Sequence, residues 1–149
     1  FMISTNPGEP VRPLNKVASG GELSRIMLAI KSILASEDEI DTLIFDEIDT
    51  GISGKTATMV AEKMANISRH HQVICISHLS QIAAMADNHY LIEKKLENNS
   101  TITNIKKLSG DESIEELVRI NGDGTVSEAA ISHAKEMKEM AERTKSYLI

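Results

Sequence analysis

The chain has 149 residues, 41% of them hydrophobic and 26% charged, with a formal net charge of −6. This length and apolar share predict one core and a single domain over residues 1–149, and the acidic balance excludes a segment that grips nucleic acid through its own basic surface, since phosphate contacts need clustered Lys and Arg. The lone Cys75 excludes an intramolecular disulfide framework and suits a reducing cytoplasm, and no signal peptide or apolar run of membrane-spanning length is visible.

In chain order, Phe1 to Thr5 reads as an edge strand and Asn6 to Pro13 as a Pro/Gly-bearing loop. Leu23, Ile26, Met27, Ile30, Ile33 and Leu34 then recur at helical spacing, so a helix begins at or just after Gly20-Gly21. The unpaired N–H groups of its first turn point back toward the glycines. Without a Cβ at either position, an anion such as a terminal phosphate can approach the backbone and meet the positive end of the helix dipole, with Ser19 as an added hydroxyl donor. Ser19 and Glu22 also fit the S-x-x-E capping box, which satisfies helix-start donors in proteins that bind nothing. Taken alone, the capping box is the favoured reading.

Thr42 to Phe45 is an apolar, β-forming run, predicted to be a strand buried on both faces of a parallel sheet, and it ends in Asp46-Glu47. Carboxylates at the C-terminal end of such a strand lie where open α/β sheets bind ligands. Asp46 is suited to holding Mg²⁺, directly or through water, and Glu47 to accepting a proton from an attacking water. An acidic strand end merely exposed to solvent is the plain alternative. Gly51 and Gly54 shape the following turn, and Ala57, Val60, Ala61, Met64 and Ala65 make a helical stripe. Gly54-Lys55-Thr56 imitates the end of a Walker A loop, G-x-x-x-x-G-K-[ST], but Asp49 stands at its first glycine and no strand of its own precedes it, so it is read as a decoy.

Gln72 to Ile76 is a second buried strand, with Ser77-His78 at its end and a stripe of Leu79, Ile82, Ala83 and Ala86 behind it. That places His78 at the same sheet edge as Asp46 and Glu47, whereas His70, His71, His89 and His133 read as structural. Tyr90 to Lys94 and Thr101 to Leu108 predict a hairpin around Glu97-Asn98-Asn99-Ser100. Helices follow near Ser113 to Ile120 and Val126 to Tyr147, separated by Asn121-Gly122-Asp123-Gly124; the last reads as a solvated amphipathic helix.

Taken together, Ala18-Ser19-Gly20-Gly21-Glu22 resembles the signature motif of ABC-type ATPases, Leu43 to Glu47 their Walker B strand, and Ser77-His78 their switch histidine, in matching order and spacing. Within that superfamily, Val17 to Arg25 and Asp46 to Gly54 resemble the RecN family of bacterial DNA-repair proteins, relatives of the SMC (structural maintenance of chromosomes) ATPases. The resemblance runs from Asn6-Pro7-Gly8-Glu9-Pro10 to His133-Ala134-Lys135-Glu136-Met137 and is strongest from Val17 to Asp87.

The resemblance implies an α/β fold, the C-terminal lobe of an ABC/SMC-type P-loop ATPase head: a mostly parallel sheet flanked by helices, with a hairpin and C-terminal helices. It further implies a Walker A lobe and coiled coil upstream, both absent from this chain, so that the chain alone is expected to be inactive. The cofactors implied are ATP and Mg²⁺, bound between the heads of a homodimer. Asp46 would position the metal, Glu47 would activate water, and His78 would sense the terminal phosphate. Ser19, Gly20 and Gly21 would close the site in trans, with Glu22, Asp49, and Thr50, Gly51 and Ser53 of the D-loop as further cofactor-binding candidates. Ser53 stands where transporter and SMC relatives carry an aspartate, so that aspartate's role does not transfer to it. DNA would be met through the full-length protein, with no membrane contact, in the bacterial cytoplasm at the nucleoid. The alternatives are another ABC-type head, of an SMC or transporter subunit, or a metal-dependent nuclease or phosphatase using Asp46, Glu47 and Asp49 around two ions.

Overall fold

The computed structural model describes residues 1–4, 7–35, 37, 39–97, 100–122 and 126–147. Thr5, Asn6 and the predicted turn residues Asn98, Asn99, Asp123 and Gly124 lie outside them. Where composition predicts one core, the chain forms two compact units, Phe1–Ser77 and His78–Ile149. The sequence gathers its elements that way: a parallel strand pair with its crossover helix comes first, and a hairpin with three helices second.

In the first unit, β1 (Met2–Ile3) pairs antiparallel with β2 (Arg12–Pro13), and α1 (Leu14–Val17) and α2 (Gly20–Leu34) follow. β3 (Thr42–Phe45) and β4 (Gln72–Cys75) pair in parallel, with Thr42 opposite Gln72 and Phe45 opposite Cys75. Parallel neighbours need a crossover, and α3 (Gly54–Ile67) supplies it. Its predicted stripe is the core: Ala57, Val60, Ala61, Met64 and Ala65 are all buried, together with Ile67 and Ile48. Gly54-Lys55-Thr56 forms the first turn of this helix.

Two burial expectations change. β3 is buried on one face only: Leu43 and Phe45 point inward, while Ile44 is 68% exposed. On α2 the buried side chain is Leu28, outside the predicted stripe, and Leu23, Met27, Ile33 and Leu34 are exposed. A periodic stripe shows that a helix is amphipathic; what covers it is a tertiary matter. His71 is buried as a structural residue, with Nδ1 2.6 Å from the Ile40 carbonyl and Nε2 3.1 Å from the Ala35 carbonyl. It ties the end of α2 to the approach to β3.

In the second unit, α4 (Ser80–Met85) precedes a hairpin of β5 (Tyr90–Glu97) and β6 (Ser100–Lys107), then α5 (Gly110–Asn121) and α6 (Glu128–Tyr147). Ala84, Leu117, Val118 and Ala134 form its core, with Ile114, Ile131 and Met137 packed around them. α5 starts on a capping box, Ser109 with Glu112, which satisfies two helix-start donors. The Lys106 ammonium on the same carboxylate holds Glu112 down at about 2. Among the described residues, no helix is long and apolar enough to cross a membrane.

His89 gives this unit a pH dependence. Its Nδ1 lies 2.8 Å from Ser113 Oγ, and burial, reinforced by the Lys138 charge and opposed by Glu116, pushes its pKa down. The folded state therefore binds this proton less readily than the unfolded chain does. The stability is complete above the ordinary histidine pKa of about 6.5 and is lost as pH falls through the lowered folded value. Urea unfolding should show a lower midpoint at about pH 5.5 than at about pH 7.5, and His89→Gln should flatten that difference.

Candidate functional site

The site is built where α2 begins and β3 ends. Ser19 is the N-cap of α2 in extended backbone, and its capping box is formed: Glu22 N–H donates to Ser19 Oγ (3.4 Å), and Ser19 N–H donates to Glu22 Oε2 (2.8 Å). Ser19 Oγ donates its own proton to the same carboxylate at 2.8 Å. These bonds hold the Glu22 carboxyl below its usual range, the backbone bond from Ser19 contributing most. The capping reading of Ser19 and Glu22 thus describes the chain as it stands, with the hydroxyl proton engaged inside the helix start.

At the end of β3 the chain turns sharply. Asp46 and Glu47 are both exposed, and Asp46 Oδ1 accepts the Glu47 N–H at 2.9 Å. Glu47 has φ of 56°, the left-handed region that a residue with a Cβ rarely occupies. Such a conformation costs on the order of 1–3 kcal/mol and persists only when its surroundings hold it. Thr50 N–H closes the turn on the Glu47 carbonyl at 3.0 Å, and Gly51 takes φ of 76° just beyond.

The two segments fit because of the glycines. A Cβ at Gly21 would stand 2.7 Å from the Glu47 carbonyl oxygen and 3.1 Å from Thr50 Cβ, backbone and side chain with little room to yield. A Cβ at Gly20 would meet the Glu47 carboxylate itself. The sequence reading reserved this space for an approaching anion; here the chain's own Glu47 carboxylate fills the space over Gly20.

Side chains of α2 complete the junction. Ser24 Oγ donates to the Asp46 carbonyl at 2.9 Å, and Arg25 Nη1 donates to the Ile48 carbonyl at 3.0 Å and the Thr50 carbonyl at 2.9 Å. Sequence reasoning gave neither residue a role. Their signals were membership of the Val17 to Arg25 segment and position, since Arg25 lies one turn beyond Gly21 and so shares its helix face.

The remaining expected residues fall in several places. Asp49 is buried at 3% exposure and accepts a 2.7 Å hydrogen bond from Ser77 Oγ, which ties the loop after β3 to the end of β4. Ser53 is the N-cap of α3 without a side-chain capping bond. His78, exposed, opens the second unit. Cys75 lies behind the acids, and burial, then the charges of Asp49 and Asp46, push its thiol up to about 12. Among the described residues no three of His, Cys, Asp and Glu gather into a cation cage. Asp46 is still a suitable single oxygen donor for Mg²⁺, which keeps most of its waters and takes one or two carboxylates besides substrate phosphates.

No protein-family profile matches the chain. It is 49% identical over 146 residues to DNA repair protein RecN of Bacillus subtilis, 98% of this chain and 25% of the relative. It is 48% identical over 137 residues to DNA repair protein RecN of Treponema pallidum, 92% of this chain and 24% of the relative. The chain thus spans about a quarter of the length of the curated relatives it matches. A solved chain from work on the structural biochemistry of ATP-driven dimerization and DNA-stimulated activation of SMC ATPases superposes with a TM-score of 0.52 at 19% identity, covering 82% of this chain and 80% of that one. Over its own length, the chain is RecN-like in sequence and has an α/β fold similar to that of the solved chain.

Proposed function

We propose that this chain is the C-terminal lobe of a RecN-like ATPase head that works in DNA double-strand break repair, binding and hydrolysing ATP between two heads of a homodimer in the bacterial cytoplasm. One observation carries the reading: the Ser-Gly-Gly-Glu start of α2 and the Asp46–Thr50 loop, separated in sequence, are keyed together at the C-terminal end of a parallel strand pair. The RecN-like sequence supports it independently.

In this reading Glu47 is the general base, holding a water and taking its proton as that water attacks the terminal phosphate. Asp46 positions Mg²⁺, which when bound neutralises charge on the phosphates. The start of α2 presents its N–H groups and Ser19 to the nucleotide held by the partner head, and His78 acts at the terminal phosphate. Thr50, Gly51 and Ser53 would face the nucleotide, while Asp49 supports the loop from within through Ser77. Positioning and charge stabilisation carry most of phosphoryl transfer, so a lobe that supplies shape and carboxylates has a full share in it. The two-ion nuclease reading loses support, because Asp49 is buried on Ser77.

Three outcomes test this. The chain by itself carries no Walker A loop and should neither bind ATP tightly nor hydrolyse it; micromolar affinity by calorimetry would count against the reading. In the full-length protein, Glu47→Gln keeps the shape and loses the basicity, so turnover should fall by about 10²-fold or more while ATP binding persists and ATP-bound dimers accumulate in sedimentation. Near-normal turnover would assign the base elsewhere.

Ser19 separates its cap from its role in trans. If Ser19 only capped the helix, Ser19→Ala would cost about 1 kcal/mol of stability in a thermal melt, as N-cap losses do, and leave ATP-dependent dimerisation intact; the role in trans expects dimerisation to weaken as well. Ser19→Arg should abolish dimerisation and hydrolysis together while monomer ATP binding survives. A folded Ser19→Arg protein that still dimerises with ATP would refute the role in trans.

A further inference from the structure

Asp46 to Thr50 presents its carbonyls to α2 in alternation. The Asp46 oxygen accepts from Ser24 Oγ, and the Ile48 and Thr50 oxygens both accept from one nitrogen of Arg25. Between these anchors sits Glu47, in a left-handed conformation its own side chain disfavours. The turn closed by Thr50 N–H on the Glu47 carbonyl contains both residues, Ile48 and Thr50, whose carbonyls Arg25 holds. A cation donating to two carbonyls makes stronger, more directional bonds than a neutral donor, and the planar guanidinium fixes their orientation. Gly21 completes the fit, since a Cβ there would lie 3.1 Å from Arg25 Nη1 as well as 2.7 Å from the Glu47 carbonyl.

We propose that Arg25 is a positioning residue for ATP hydrolysis: by clamping the Ile48 and Thr50 carbonyls to the start of α2, it holds Glu47 in its strained backbone conformation and so fixes the point from which its carboxylate acts. The proposal rests on the ATPase reading given above and goes beyond it. Arg25 Nη1 is bound to backbone carbonyls, so its part in the reaction runs through Glu47. One consequence is mechanical. The end of α2 that faces the partner's nucleotide and the base serving the chain's own nucleotide are fastened together, so a shift of α2 on head closure is delivered directly to Glu47.

The test is a double-mutant cycle in the full-length protein, with Arg25→Ala and Glu47→Gln alone and combined, reading kcat and KM for ATP and a thermal melt for each. If Arg25 acts through Glu47, Arg25→Ala should lower kcat by about tenfold to a hundredfold, the scale of a small misplacement of a reacting group, with KM within about twofold. On the Glu47→Gln background the same change should lower the residual kcat by no more than about twofold, because the group being aimed is already disabled. A merely structural arginine would lower kcat by the same factor on both backgrounds, and that result overturns the proposal. So does an Arg25→Ala protein with unchanged kcat. Should Arg25→Ala fail to fold, Arg25→Lys, which keeps the cation and loses the planar fork, enters the same cycle and is judged by the same two criteria. A wild-type protein without ATP hydrolysis would overturn the ATPase reading and this proposal with it, whereas an active wild type with equal losses on both backgrounds overturns this proposal alone.

Discussion

The contact on which the site depends is the approach of the Gly21 backbone to the Glu47 carbonyl. Neither partner is a flexible side chain, and a Cβ on Gly21 would stand only 2.7 Å from the Glu47 carbonyl oxygen. Only because α2 begins with bare backbone can it seat against the turn after β3. Seated there, Ser24 and Arg25 reach the carbonyls of Asp46, Ile48 and Thr50, and the strained Glu47 is held from outside. The glycine pair thus has a purpose within the chain as well as the phosphate-facing one its sequence suggests.

How much of this was legible depends on whether the determinant is local. The stripe of α3 was, since Ala57, Val60, Ala61, Met64 and Ala65 recur at helical period and all are buried. β3 was legible in extent, from an apolar run bounded by acids, but not in burial. A continuous run predicts cover on both faces, and Ile44 stands open. The φ of Glu47 carried no sequence signal, because the left-handed region announces itself through Gly or Asn and here a glutamate is forced into it by neighbours. Arg25 was illegible for a related reason. A donor to backbone carbonyls finds its partners only after the chain has folded, and carbonyls have no sequence identity. Asp49 shows the opposite hazard: as an acid near other acids it reads as chemistry, yet it is buried on Ser77.

The exposed aliphatic surfaces belong to the same account. Two-stranded sheets are marginal by themselves in water, and both β3–β4 and the hairpin are two-stranded. In the first unit, Ile44 on β3 and Leu23 and Met27 on α2 line one shallow depression. Aromatics make up 3% of the chain, so these patches are broad and aliphatic, a texture suited to packing against another protein surface more than to gripping a planar ligand. On the proposed reading as one lobe of a head, such surfaces have an obvious covering, and the incomplete cover of β3 and α2 follows from considering the lobe alone.

Electrostatics then assign the division of labour. Asp46 and Glu47 are exposed at the strand end and Asp49 is buried behind it, and the field of Asp46 and Asp49 helps drive the Cys75 thiol up to about 12. Arg25, the cation at this junction, has its Nη1 bound to backbone carbonyls. On the proposed reading, phosphate at this junction would be met by the metal ion and by the partial charge of the helix start. On that reading the lobe would bring the base and one metal oxygen. Nucleotide would complete the site only when the two heads meet, which is the physical reason to expect binding, closure and hydrolysis to be coupled rather than independent.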